Sequence, residues 1–126
     1  MKMANIQTLL TASALLVLSY SASVHAASDC RLAERYITLA HERLAASETA
    51  EAESLLKQAI EACPSYEAFQ SLGELQAQSP RRADQAHAVD AFVSADELAP
   101  TDQARARTRY HYANLLSRDG DPQGDA

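Results

Sequence analysis

Two cysteines, Cys30 and Cys63, and a scatter of histidines are the residues that bring redox, metal or acid–base chemistry into question. A redox-active pair needs Cys-x-x-Cys spacing to lower one thiol's pKa, and these two cysteines lie far apart in the sequence. Two thiolates with dispersed imidazoles also fall short of a tetrahedral metal set, so no metal site is expected. For acid–base work the candidates are His41-Glu42, His87 and His111-Tyr112. His41 and Glu42 are adjacent, so on a helix they point roughly 100° apart. No serine stands in a Gly-x-Ser-x-Gly turn, and three glycines leave little material for shaping catalytic loops. Glu51, Glu53 and Glu61 read as a solvated face. The expectation is a chain that is not an enzyme and carries no cofactor.

The elements that would position these residues begin after a leader. Met1–Ala26 reads as a secretory signal peptide, with Lys2 at the positive end, an apolar stretch Leu9–Tyr20 and a small-residue cleavage pattern at Val24-His25-Ala26. Its apolar part is too short to cross roughly 30 Å of hydrocarbon, so no stable membrane insertion is expected after cleavage. Asp29 before Cys30 argues against a lipid anchor. Loss of the leader removes Lys2 and takes the formal net charge of −6 to about −7. An acidic domain without tryptophan is a poor nucleic-acid binder, because phosphate neutralisation needs a basic face.

From Ser28 onward the apolar spacing predicts five helices and no sheet. Helix one covers Asp29–Ala46 with Leu32, Tyr36, Leu39 and Leu44 on its apolar side, and Ser47 and Thr49 break it. Helix two covers Ala50–Ala62, burying Ala52, Leu55, Leu56, Ala59 and Ile60, and Pro64 ends it. Helix three covers Tyr66–Gln78 with Phe69, Leu72 and Leu75. Ser79 is read as the cap of helix four, Arg81–Leu98, with Pro80 at its tolerant first turn and Ala88, Ala91, Phe92 and Ala95 inward. Helix five covers Thr101–Ser117 and stops at Asp119-Gly120. Cys30 opens the first helix and Cys63 closes the second, ends that lie side by side in an antiparallel pair. With export to an oxidising compartment, this predicts a Cys30–Cys63 disulfide.

Ala52, Leu56, Ala59 and Pro64 recur 36 residues later as Ala88, Phe92, Ala95 and Pro100. Each block is preceded by an aromatic-x-x-Leu-small run, Tyr36-x-x-Leu39-Ala40 and Phe69-x-x-Leu72-Gly73. This pattern resembles the tetratricopeptide repeat family. An ordinary five-helix bundle would give similar apolar spacing, and the shared offset favours the repeat. Arg43 and Gln76 depart from the pattern where an aromatic is common, Ala40 replaces glycine, and the turn around Gln78–Arg82 reads as about three residues longer than usual. The resemblance implies an all-α solenoid of two repeats over residues 27–118, with helix five as a cap or as the start of a third unit, and a flexible tail over 119–126.

The resemblance further implies an exported protein–protein interaction scaffold of the periplasm or cell envelope, or a secreted one. It would hold a peptide or partner protein on the concave face of the first helix of each unit. Transferred position by position, that face would comprise Glu34, Ile37 and His41, then Gln70 and Glu74, then Arg107 and Tyr110, with Ile37 and Tyr110 as anchors and a basic or polar partner. Arg105, Arg107, Arg109 and Arg118 would solvate the outer side of helix five. The alternative is a structural spacer, or the truncated N-terminal region of a larger envelope protein with an OmpA-like peptidoglycan-binding domain. The oligomeric state is left open.

Overall fold

Pro64 and Pro100 each sit in the middle of a three-residue break, Cys63–Ser65 and Ala99–Thr101, where a missing N–H and a fixed φ prevent a helix from continuing. The residue after each proline then caps the next helix. Ser65 accepts from the Ala68 N–H at 3.2 Å, and Thr101 accepts from the Ala104 N–H at 3.1 Å. The 36-residue offset thus extends from the prolines to the caps.

The computed structural model describes residues 28–119, and within them the chain is all-helical. Helix α1 spans 28–45, α2 Thr49–Ala62, α3 Tyr66–Ala77, α4 Arg82–Leu98 and α5 Asp102–Asp119. The leader read over Met1–Ala26 and the tail from residue 120 lie outside the described residues. None of the described helices is long and apolar enough to cross a membrane.

Each sequential pair of helices from α2 to α5 packs together, and α3 also touches α5. One apolar cluster joins Ala33, Ile37 and Ala40 of α1 to Ala52, Leu56 and Ala59 of α2, Ala68 and Leu72 of α3, and Ala91 of α4. A second joins Ala77, Ala88, Phe92 and Leu115. The buried stripe on α1 is rotated from the expected one. Leu32 is 41% exposed, while Ala33, Ile37 and Ala40 at i, i+4 and i+7 carry the contact. The inward residues read for α2 and α4 are all buried or partly buried.

Cys30 and Cys63 form a disulfide, with Cα atoms 4.9 Å apart. It ties α1 to the end of α2 and packs against the first cluster. Closing a loop of this length stabilises the fold by roughly 3–4 kcal/mol on chain-entropy grounds.

The two interhelical turns differ. α1 ends with Ser47 at φ 61°, the Ser47 N–H donating to the Leu44 carbonyl and the Glu48 N–H to the Arg43 carbonyl. That is the Schellman pattern, with serine in the left-handed conformation that glycine usually takes. Arg43 then clamps the turn from its own helix, donating to Glu48 at 2.9 Å. In the second turn, Ser79 does not cap α4. The cap position is Arg81, without a side-chain bond, because Ser79 Oγ donates to Asp84 instead and Pro80 stays outside the helix. The turn itself is only one residue longer than the first. The extra length lies in α4, which starts six residues before Ala88, whereas α2 starts three before Ala52.

Candidate functional site

Helices α1, α3 and α5 are linked in chain order by side chains. His41 Nε2 and Ser71 Oγ share a hydrogen bond of 3.2 Å between α1 and α3. Between α3 and α5, Thr108 Oγ1 donates to Gln70 Oε1 at 2.7 Å, and Arg107 Nη2 donates to Glu74 Oε1 at 2.9 Å. The same Glu74 oxygen accepts from Gln70 Nε2 at 2.7 Å and lies 3.4 Å from His111 Nε2. The His111 ring stacks on Phe92 with centroids 6.0 Å apart. Tyr66 adds a further tie, its hydroxyl donating to the Ala104 carbonyl at 3.2 Å.

A pocket of about 350 Å³ opens between the C-terminal halves of α1 and α3, beside the first turn. Leu44 and Leu75 give it apolar walls, and His41, Ser71, Glu74 and Gln78 give it hydrogen-bonding groups. Leucine walls with a few convergent polar groups can seat an apolar side chain and orient the backbone that carries it.

The predicted site residues divide into three groups. His41 and Glu74 share this pocket, and Arg107 is tied to it through Glu74. Ile37 and Gln70 are core residues, 5% and 3% exposed, so neither is an accessible groove contact. Ile37 faces the core because the α1 stripe rotates inward, and the Gln70 amide is held by Thr108 and Glu74. Glu34 and Tyr110 lie apart from the pocket. Glu34 lines a separate cleft on α1, and Tyr110 is 65% exposed, edge-on to His111 at 5.6 Å.

The pocket residues that the sequence pattern did not assign to the binding face are Leu44, Ser47, Thr49, Ser71, Leu75 and Gln78, of which Leu44 and Leu75 were read as core. Ser71 and Arg107 are 36 residues apart and His41 and Glu74 are 33 apart, so the two cross-helix bonds join positions related by the spacing of the sequence pattern. The Glu74 carboxylate is paired with Arg107. Of the arginines read as solvating α5, Arg107 and Arg109 instead reach across to Glu74 and to Asp96, the latter at 2.9 Å. Asp96 raises the Arg109 pKa by hydrogen bonding and charge. Among the described residues, no group of three His, Cys, Asp or Glu side chains is placed to hold a metal ion.

No family model, no curated protein and no solved structure matches the chain.

Proposed function

We propose that the chain is an exported binding scaffold of tetratricopeptide-repeat type that holds an extended segment of a partner protein along the α1–α3–α5 side. The observation that carries this reading is the pocket between α1 and α3, with leucine walls and a rim of His41, Ser71 and Gln78. The repeated cross-helix bond, His41 to Ser71 and then Glu74 to Arg107, supports the solenoid arrangement on which the reading depends. The Cys30–Cys63 disulfide supports export, because such bonds persist in oxidising compartments.

Because Arg107 already neutralises Glu74, the preferred segment carries an apolar anchor for the Leu44–Leu75 walls and polar neighbours, with no requirement for a basic residue. Display selection of random peptides on the purified protein tests this. Enriched peptides are expected to share a medium-sized apolar residue and to lose binding at least tenfold to Gln78→Arg, an exposed pocket position, with the variant's melting temperature preserved. Failure to enrich, or enrichment indifferent to Gln78→Arg, would remove the pocket as the site. Charge reversal at Glu74 is a poor probe here, since it also breaks the tie to α5.

A further inference from the structure

The contact that joins α1 to α3 and α3 to α5 stops at α5, while the positions that would continue it are exposed. His41 meets Ser71, and the equivalent residues Glu74 and Arg107 meet one unit later. Gln70 meets Thr108 in the same interface. Moved on by the 36-residue offset, Gln70 and Glu74 become Ala106 and Tyr110. Both are exposed, and Tyr110, at 65%, is the most exposed large hydrophobic side chain among the described residues. No helix follows α5 within the described residues to receive them.

The opposite end of the array carries the matching half. The α3 positions equivalent to Arg107, Thr108 and His111 are Ser71, Leu72 and Leu75, and 33 residues earlier on α1 these become Thr38, Leu39 and Glu42. A shallow cleft of about 500 Å³ lies along one face of α1 at those residues, with Arg31, Glu34 and Arg35 completing its rim. We propose that Tyr110 of one copy seats in the α1 cleft of a second copy, so that α5 of the first stands to α1 of the second as α3 stands to α5. The inference rests on the repeat register and not on the peptide pocket.

The chemistry of the two faces fits this placement. Ala106 and Ala113 flank Tyr110 at i−4 and i+3 and allow close approach of a second helix. In the register, the Tyr110 ring lies between Thr38 and Glu42, as Glu74 lies between Arg107 and His111, and its hydroxyl is a donor for the Glu42 carboxylate. The contact joins two different surfaces, so it leaves one tyrosine and one cleft free at the ends and does not close. One helix layer on another buries less than about 1,200 Å², the class of weak, transient interfaces, so association belongs in the micromolar range or weaker.

Sedimentation velocity on the purified full chain, from low micromolar to near-millimolar concentration, tests the inference. The weight-average mass is expected to rise with concentration without settling at a fixed size. Tyr110→Ala and Thr38→Arg change exposed positions, and each is expected to weaken association at least tenfold without altering the melting temperature. An equimolar mixture of the two variants is the decisive arm. The intact Tyr110 of Thr38→Arg fits the intact cleft of Tyr110→Ala, so the mixture should stop at a dimer. A constant monomer mass would overturn the proposal. So would a closed dimer, or association that both variants retain. Neither residue lines the pocket between α1 and α3, so this result and the peptide result are independent.

Discussion

The first helix pair, α1 with α2, and the second, α3 with α4, fill equivalent places with different divisions of volume. The first places Ala40 and Leu56 in its core, both without solvent exposure. The second places Gly73 beneath Phe92, and a Cβ on Gly73 would lie 2.7 Å from two ring carbons. The first pair also has the disulfide and the larger apolar cluster. The second has a smaller cluster and a buried amide, Gln76, whose Nε2 reaches Glu53 at 3.4 Å while its Oε1 has no partner. An unpaired buried carbonyl costs about 1–3 kcal/mol. Covalent closure in one pair and a close ring-on-glycine contact in the other are therefore alternative ways of holding the same two-helix unit. The second depends more on each side chain.

The largest expected effect follows from that dependence. Phe92→Ala removes the main filler of the second cluster and the stacking partner of His111, and should cost about 4 kcal/mol. Leu56→Ala leaves a smaller cavity in the larger cluster and should cost about 3 kcal/mol. The prediction concerns more than rank. Under reducing conditions the Leu56→Ala protein should lose further stability, because the bond that restrained its unfolded chain is gone. Chemical denaturation of both variants with and without reductant measures this. Equal costs, or no added loss on reduction, would mean that the two pairs are not distinguished by the disulfide.

How much of this was legible in the sequence depends on how local each cause is. Helix ends at Pro64 and Pro100 are set by one residue's backbone, and the structure places them within a residue or two of the pattern. The cysteine pairing followed from the ends of two adjacent helices and was equally readable. Ile37 and Gln70 were misplaced because their burial is decided by other helices, α2 and α3 for Ile37 and α5 for Gln70, and spacing within one helix does not carry that information. Leu32 and Ala33 show the same limit. The stripe can rotate by one residue without changing its period, and small alanines win the contact where α1 approaches α2 closely. At Ser79 the sequence offered a good cap, but the side chain bonds Asp84 and the helix starts at Arg82.

The close contact in the second pair predicts a smaller and more specific effect. Gly73→Ala improves helix propensity by about 1 kcal/mol but drives a methyl group into a ring that is 1% exposed and has little room to move. The net cost is expected to be about 1–2 kcal/mol. Combining it with Phe92→Leu recreates the Ala40–Leu56 solution and should recover part of the loss, so that the double variant is more stable than the sum of the two single costs. In the first pair, Ala40→Gly should cost about 1 kcal/mol through propensity and a small void, with no comparable rescue. Thermal melting of the set decides it. Strict additivity at Gly73 and Phe92 would show that the close approach is not what matches the two residues.

The smallest expected effect separates the two turns by pH. The first is clamped by a guanidinium, Arg43, whose pKa is raised by the hydrogen bond and charge of Glu48 and which stays protonated throughout. The second is clamped by a carboxylate, Asp84, whose pKa is lowered by the Ser79 hydroxyl first and then by Arg81. A carboxylate held below its ordinary value near 4 binds fewer protons when folded than when unfolded. Its contribution is therefore complete above about pH 5 and is lost as the pH falls through the ordinary value and then the depressed one. The Asp84 side chain is 20% exposed but its partner Arg81 is 78% exposed, and screening around that partner keeps the effect small. Melting temperature against pH for wild type and Asp84→Asn should show wild type slightly higher at neutral pH, with the two curves converging below about pH 4. A difference that stays constant from neutral to acid pH would mean that the Asp84 charge does not hold the turn, and that the Ser79 contact does so whether Asp84 is ionised or not.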